Sequence, residues 1–247
     1  MLIAQAKNLG KLYKGYKGFL KKRKILALKE FDLEIRKGEV FGLLGLNAAG
    51  KSTALKIFLG FIFPSWGEFE ILGEKGSTPR IRQKIGFLPE DPGLYRYLSA
   101  EEFLDFCGRL FNLRKEKRRK RVKELLELVG LSDAKEMRIR ELSKGMVQRL
   151  GIASSLINEP ELIFLDEPMS GLDPLGRKKV KEIILQLKKR GTTIFFSSHI
   201  LAEVEEICDR IGILHKGRLI HLKEVKELKK EGISLEEFFV QAVEEIN

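Results

Sequence analysis

The sequence predicts an α/β domain built on a mainly parallel sheet, and three observations carry that prediction. Short apolar runs, Val40-Phe41-Gly42-Leu43-Leu44, Leu162-Ile163-Phe164-Leu165 and Thr193-Ile194-Phe195-Phe196, have the length and composition of strands buried on both faces. Helix-like segments follow two of them, residues 51–61 after the first and residues 176–190 between the second and third, and strands joined by helices run parallel. The 247 residues, 43% hydrophobic and 33% charged, exclude a disordered chain and exceed a common domain of about 100–150 residues, which leaves room for an inserted subdomain.

Taken in order, the first forty residues alternate around Leu26, Leu28, Phe31, Leu33 and Ile35 up to Lys37-Gly38-Glu39, the pattern of strands and a turn. Between Tyr13 and Ile25, glycines break the periodicity and aromatics interleave with lysines, as in a surface loop or hairpin tip. Residues 100–112, 116–129 and 146–157 carry apolar positions at three-to-four spacing, so a helical insertion is expected over about residues 89–157. Apolar runs on either side of Lys216-Gly217 predict a hairpin over 210–220, and a short acidic helix is expected over 234–246.

Charge and composition narrow the function classes. Forty-six Lys and Arg against 35 Asp and Glu give a formal net charge of +11, concentrated in residues 11–24 and in Arg114-Lys115-Glu116-Lys117-Arg118-Arg119-Lys120-Arg121. Such runs fit nucleic acid or the anionic cytoplasmic leaflet, where each near-surface cation contributes about 1 kcal/mol; a solvated face is the plainer reading, and the one that suits the second run. No apolar run approaches the ~18–20 residues of a membrane-spanning helix. The amino terminus, Met1-Leu2-Ile3-Ala4-Gln5-Ala6-Lys7, lacks the layout of a secretion signal. Cys107 and Cys208, far apart and outside any CxxC pattern, read as reduced thiols.

Gly45-Leu46-Asn47-Ala48-Ala49-Gly50-Lys51-Ser52, followed by Thr53, fits G-x-x-x-x-G-K-[ST] and sits after a buried strand and at the start of a helix. Backbone N–H groups of such a loop converge on phosphate oxygens, helped by the helix dipole. Lys51 is then expected at the β- and γ-phosphates and Ser52 at Mg²⁺. The strand Leu162-Ile163-Phe164-Leu165 ends in two carboxylates, Asp166, suited to Mg²⁺, and Glu167, suited to accept a proton from the attacking water.

Many nucleotide hydrolases share those two motifs, and Leu142-Ser143-Lys144-Gly145-Met146-Val147-Gln148-Arg149 discriminates among them. It resembles the LSGGQ signature of ATP-binding cassette (ABC) ATPases and occupies that family's place between phosphate loop and acidic strand. Physically it is a second helix amino terminus, capped by Ser143 and opened by Gly145, able to donate N–H groups to a γ-phosphate. The resemblance covers essentially the whole chain. It implies a P-loop NTPase core of the RecA-like kind, residues 1–88 and 158–222, with an antiparallel β subdomain, a helical subdomain over 89–157 and a helical extension over 223–247. It further implies that two chains pair head to tail around two nucleotides. Tyr13 takes the place of the adenine-stacking aromatic, Ser170-Gly171-Leu172-Asp173 that of the D-loop, and His199, after Phe195-Phe196-Ser197-Ser198, that of the γ-phosphate switch histidine.

The departures are informative. Ala48 replaces a common glycine, and binding is expected to survive provided its φ is negative. Lys144 and Met146 replace Gly and Gln of the signature. Glu90 stands where the family places the Q-loop glutamine; it is a hard Mg²⁺ ligand that cannot donate a hydrogen bond when ionised. Glu90 and Leu-Ser-Lys-Gly-Met together resemble the cassettes of ABC-2-type exporters. The reading is therefore an ATP- and Mg²⁺-dependent ATPase subunit, a homodimer or paired cassette, held peripherally on the cytoplasmic side of the cell membrane by a separate integral permease, with no nucleic acid expected. The alternative is a soluble ABC ATPase acting on nucleic acid or ribosomes. A P-loop kinase or GTPase leaves the signature without a role.

Overall fold

The structure, a computed structural model, describes residues 1–17 and 21–245. The chain forms two compact units, Met1–Arg82 with Phe195–Asn247, and Gln83–Ile194.

In the first unit β1 (Leu2–Lys17) and β2 (Lys21–Arg36) form an antiparallel ribbon. Its lower half follows the expected alternation, with Phe31, Leu33 and Ile35 buried and Asp32, Glu34 and Arg36 exposed. Its upper half takes the hairpin form of the two expected, with longer strands than the broken periodicity implied. Tyr13 pairs with Ile25, Lys14 with Lys24, and the ladder runs on to Lys17 and Lys21. Two strands can pair with each other and leave their outer backbone groups to water without a core, so apolar periodicity cannot report them; the tip, residues 18–20, lies outside the described residues. Next come β3 (Val40–Leu44), buried at every position, and α1 (Lys51–Phe58). β4 (Trp66–Ile71) and β5 (Glu74–Lys75) complete an antiparallel sheet in the order β2-β1-β4-β5, before the short α2 (Pro79–Arg82).

The second unit begins with β6 (Ile85–Leu88) and continues through α3 (Ala100–Leu110), α4 (Lys115–Leu128) and α5 (Lys144–Ser155) to β7 (Leu162–Asp166) and α6 (Pro174–Lys189). β6 and β7 pair in parallel, Ile85 opposite Leu162 and Leu88 opposite Leu165. α3 opens with a reciprocal cap. Ser99 Oγ accepts from the Glu102 N–H at 3.1 Å and the Glu102 carboxylate from the Ser99 N–H at 2.8 Å, worth about 1 kcal/mol. The helices bury Leu104, Val122, Leu125, Leu150 and Ile152. Arg149, on α5, donates to the carbonyl oxygens of Val129 and Gly130 just beyond α4, and burial holds its guanidinium below its ordinary pKa.

The chain returns to the first unit through β8 (Thr193–Ser198), followed by α7 (Leu201–Ile207), β9 (Arg210–His215), β10 (Arg218–Glu224), α8 (Val225–Glu231) and α9 (Leu235–Glu244). Its second sheet runs β10-β9-β3-β8, with β3 and β9 parallel and β9 and β10 forming the expected hairpin. Phe41 stacks on Phe195 at 5.6 Å between centroids, and Phe58 of α1 tilts against the same ring. Burying side chains of this size contributes roughly 2–3 kcal/mol each. Beneath the sheet, Arg210 and Glu39 form a buried ion pair at 3.1 Å, and Glu39 also accepts from the Arg36 N–H at 2.6 Å. A Cβ on Gly42 would lie 2.7 Å from Cys208 Sγ, so β3 needs glycine there to let α7 approach. Cys107 and Cys208 are thiols, outside any disulfide.

Candidate functional site

In the first unit the chain leaves β3 at Leu44, turns through Gly45 to Gly50 and enters α1 at Lys51. Leu46, Asn47 and Ala48 crest outward with Ser52, while Thr53 is half-buried and Ala49 buried. Gly50 adopts φ 116, and a Cβ there would meet the Ala27 carbonyl oxygen at 2.5 Å, so both conformation and space require glycine. Gly45 is held as closely, since its Cβ would lie 2.5 Å from the Leu214 carbonyl oxygen. The Gly217 N–H bonds the Ala49 carbonyl at 2.9 Å. The loop is thus clasped between β2 and the β9–β10 turn. The N-cap of α1, Gly50, brings no side-chain cap and no acid occupies the first turn, an arrangement that suits an anion at this helix start. Lys51, 6% exposed, donates its Nζ proton to the Gly45 carbonyl at 2.7 Å, along the line of the loop.

One expectation about this loop is corrected. Ala48 has φ 65, in the left-handed region, rather than the negative φ on which unimpaired binding was made conditional. Its Cβ carries the strain a glycine would avoid. The clasp around Ala49 and Gly50 holds the neighbouring backbone and imposes that conformation.

His199 follows the last residue of β8 and is exposed at that strand's carboxyl end. Tyr13 lies on β1, partly exposed, with Lys11 Nζ 5.3 Å from its ring centroid.

In the second unit Asp166 closes β7 and Glu167 follows it with φ 48; both are largely buried, at 9% and 8% exposure. The left-handed φ at Glu167 ends the strand's regular alternation between the two acids. Glu90 lies two residues past β6, the parallel neighbour of β7, and is exposed at the same carboxyl edge. Edges of this kind are where α/β sheets bind ligands.

The signature residues form a helix start as expected. Ser143 caps α5, its Oγ accepting from the Met146 N–H at 3.3 Å. The D-loop does the same for α6. Asp173 accepts from the Gly176 N–H at 2.7 Å, with Pro174 in the first turn. Both starts line one cavity of about 320 Å³ that includes Ser143, Gly145, Met146 and Asp173. Lys144 Nζ lies over Gly171, where an added Cβ would come within 2.1 Å of it. That contact was invisible in the sequence, which marked Lys144 only as a departure from the motif. A larger cavity of about 640 Å³ in the same unit is lined by Glu90, Arg96, Arg140, Leu142, Lys144 and Val147 among others.

Among the described residues no group of three or more His, Cys, Asp and Glu is placed to hold a metal. Ser52 in the first unit carries a hydroxyl, and Asp166 and Glu90 in the second carry carboxylates, hard oxygen donors of the kind Mg²⁺ takes.

A phosphate loop on a parallel sheet, strand-end carboxylates, and a second capped helix start beside a D-loop define a nucleoside triphosphatase of the ATP-binding-cassette type. Comparison with known proteins agrees. The family described as ABC transporter matches residues 28–170. An uncharacterized ABC transporter ATP-binding protein of Nostoc sp. is 51% identical over 92% of this chain and 68% of its own length. The bacitracin transport ATP-binding protein BcrA of Bacillus licheniformis is 39% identical over 86% of this chain and 69% of its own. The dimeric post-hydrolysis structure of the ATP-binding cassette MJ0796 bound to ADP and Pi superposes with a TM-score of 0.80 at 28% identity, covering 90% of this chain and 98% of that one. The chain belongs to the ABC transporter family as an ATP-binding, ATP-hydrolysing subunit. It spans about two thirds of the length of the curated relatives it matches.

Proposed function

We propose that this subunit hydrolyses ATP at sites completed by a second cassette paired head to tail, and that it drives a separate integral permease, in the export direction, from the cytoplasmic face of the membrane. The observation that carries the pairing is the cavity shared by Ser143, Gly145, Met146 and Asp173. Two helix starts of the second unit open on one hollow, and the phosphate loop belongs to the first unit. Likeness to a dimeric cassette and to a bacitracin transport protein supports the same reading. Glu90 and the Leu-Ser-Lys-Gly-Met signature favour export, through their resemblance to ABC-2-type cassettes.

Each residue then has a task. The backbone of residues 45–50 and the N–H groups of Lys51, Ser52 and Thr53 hold the phosphates, Lys51 adds a full charge, and Tyr13 stacks on the adenine. Ser52, Asp166 and Glu90 would hold Mg²⁺, which when bound neutralises charge on the phosphate oxygens. Glu167 takes the proton of the attacking water and His199 fixes that water's orientation. Ser143, Gly145 and Met146 present their helix start to the partner's γ-phosphate, and Asp173 sets the angle of the D-loop beside it. The cavity beside Glu90 receives the permease's cytoplasmic segment.

The deciding experiment is Glu167→Gln with Mg·ATP, read by phosphate release and size-exclusion chromatography. Turnover is expected to fall by about 10²–10⁴-fold with nucleotide binding retained, and a dimer should accumulate. Near-normal hydrolysis would remove Glu167 from the base role, and a monomer at every concentration would remove the pairing.

A further inference from the structure

The ribbon of β1 and β2 is longer than its sheet requires. β4 pairs with β1 no further than Gly10 opposite Trp66, yet the two strands continue to Lys17 and Lys21. Between positions 11 and 29 the sequence has eight Lys and Arg and no Asp or Glu. Lys14 stands directly across from Lys24, both exposed, and Lys17 is in register with Lys21. Like charges placed opposite one another in a ladder are destabilising, so a ribbon built this way is stabilised by an external polyanion.

Apolar side chains are exposed among these cations. Ile25 and Leu26 are exposed on the ribbon, and at its root Phe63 is 83% exposed beside Trp66. The root is tied to the ribbon. Lys11 Nζ donates to the Phe63 carbonyl at 2.6 Å, the Leu12 N–H donates to Ser65 Oγ at 3.0 Å, and the Trp66 indole covers Gly10. Cations attract an anionic surface, while Trp favours the boundary between headgroups and hydrocarbon and exposed Phe and Leu bury into its apolar side. Nucleic acid would use the cations but leave the exposed Phe63 and Ile25 without apolar cover.

We propose that the β1–β2 ribbon and the Phe63–Trp66 turn form a contact surface for the anionic phospholipid headgroups of the membrane, independent of the permease. The proposal rests on the reading that the subunit works at a membrane, and it adds a direct lipid contact to it. The ribbon root is also the strand that clasps the phosphate loop, through the Ala27 carbonyl against Gly50. Lipid contact therefore lands on the element that holds the nucleotide cradle.

The test is flotation of the whole chain with vesicles of phosphatidylcholine alone or of phosphatidylcholine mixed equally with phosphatidylglycerol, with ATP turnover measured in the same samples. Binding is expected on the mixed vesicles only, weakening as salt rises. Lys14→Ala with Lys24→Ala should lower partitioning about 25-fold, two cations at about fivefold each, and Phe63→Ser should lower it further, both with turnover in solution unchanged. Equal binding to the two vesicle types, a double variant that partitions like the parent, or release from vesicles by duplex DNA at matched phosphate concentration would each overturn the lipid surface. A chain that turns over ATP and ignores both vesicles would overturn it too, while leaving the proposed function standing.

Discussion

Two helix starts in this molecule look alike in sequence and differ in structure. α1 begins at Gly50 in a left-handed conformation, with no side-chain cap, and with Lys51 buried along the loop. α5 begins at Ser143 in an extended conformation, and its own hydroxyl takes the Met146 N–H. An uncapped start leaves its donors to an incoming phosphate and binds it strongly. A self-capped start already satisfies one donor and gains less from a new anion. The first suits a ligand held through the whole cycle, the second one that is gripped and released as two chains close and part.

The largest effect that would sharpen this contrast is Lys51→Ala. Loss of a buried charge from the uncapped start should weaken ATP binding on the order of 100-fold in a Mg²⁺-containing titration. An unchanged affinity would place the phosphates elsewhere. Ser143→Ala should behave differently. It costs about 1 kcal/mol of stability through the lost cap, read as a shifted denaturant midpoint, and it lowers turnover under dimer-forming conditions while ATP affinity of the dilute chain stays at its parent value. Equal loss of affinity in both variants would erase the distinction between the two starts.

Smaller effects test the scaffold around each start. Ala48→Gly relieves a Cβ held at φ 65 and should raise stability by about 1 kcal/mol with nucleotide affinity at least preserved. In the helical unit, Asp105 carries a pH signature. Burial works against its ionisation, but hydrogen bonds from Arg118 and Arg109 together outweigh it and hold the carboxyl below its ordinary 3.8. A depressed folded value means the stabilisation is present above the unfolded pKa and lost as pH falls through the folded one. The stability gap between the parent and Asp105→Asn should therefore be full at neutral pH and shrink below about pH 4 in acid denaturation series. Cys107 gives the smallest signal. Burial pushes its thiol up to about 11, so alkylation at neutral pH should be slow until the helical unit is unfolded.

Much of this arrangement was legible in the chain because it is written locally. A buried strand, a glycine loop and a helix announce themselves in consecutive residues, and so do the acids that end β7. The three helices over 100–155 followed their apolar spacing to within a few residues of each boundary. What escaped notice depends on partners distant in sequence or on backbone angles. The φ of Ala48 is imposed by strands that clasp its neighbours, and the closeness of Lys144 to Gly171 arises only when α5 and the turn before α6 come together. The long ribbon escaped because two strands that pair with one another and face water on both sides need no hydrophobic rhythm. Its charge and a hairpin tip were visible, and the length of its pairing was not.

The clasp on the phosphate loop has one more consequence. With Ala27 pressed on Gly50 and Gly217 bonded to Ala49, strands far away in sequence hold the backbone of the cradle. A cradle held this way loses less freedom when a ligand orders it, and because its donors are backbone N–H groups that meet phosphate, choice among bases falls to groups outside it.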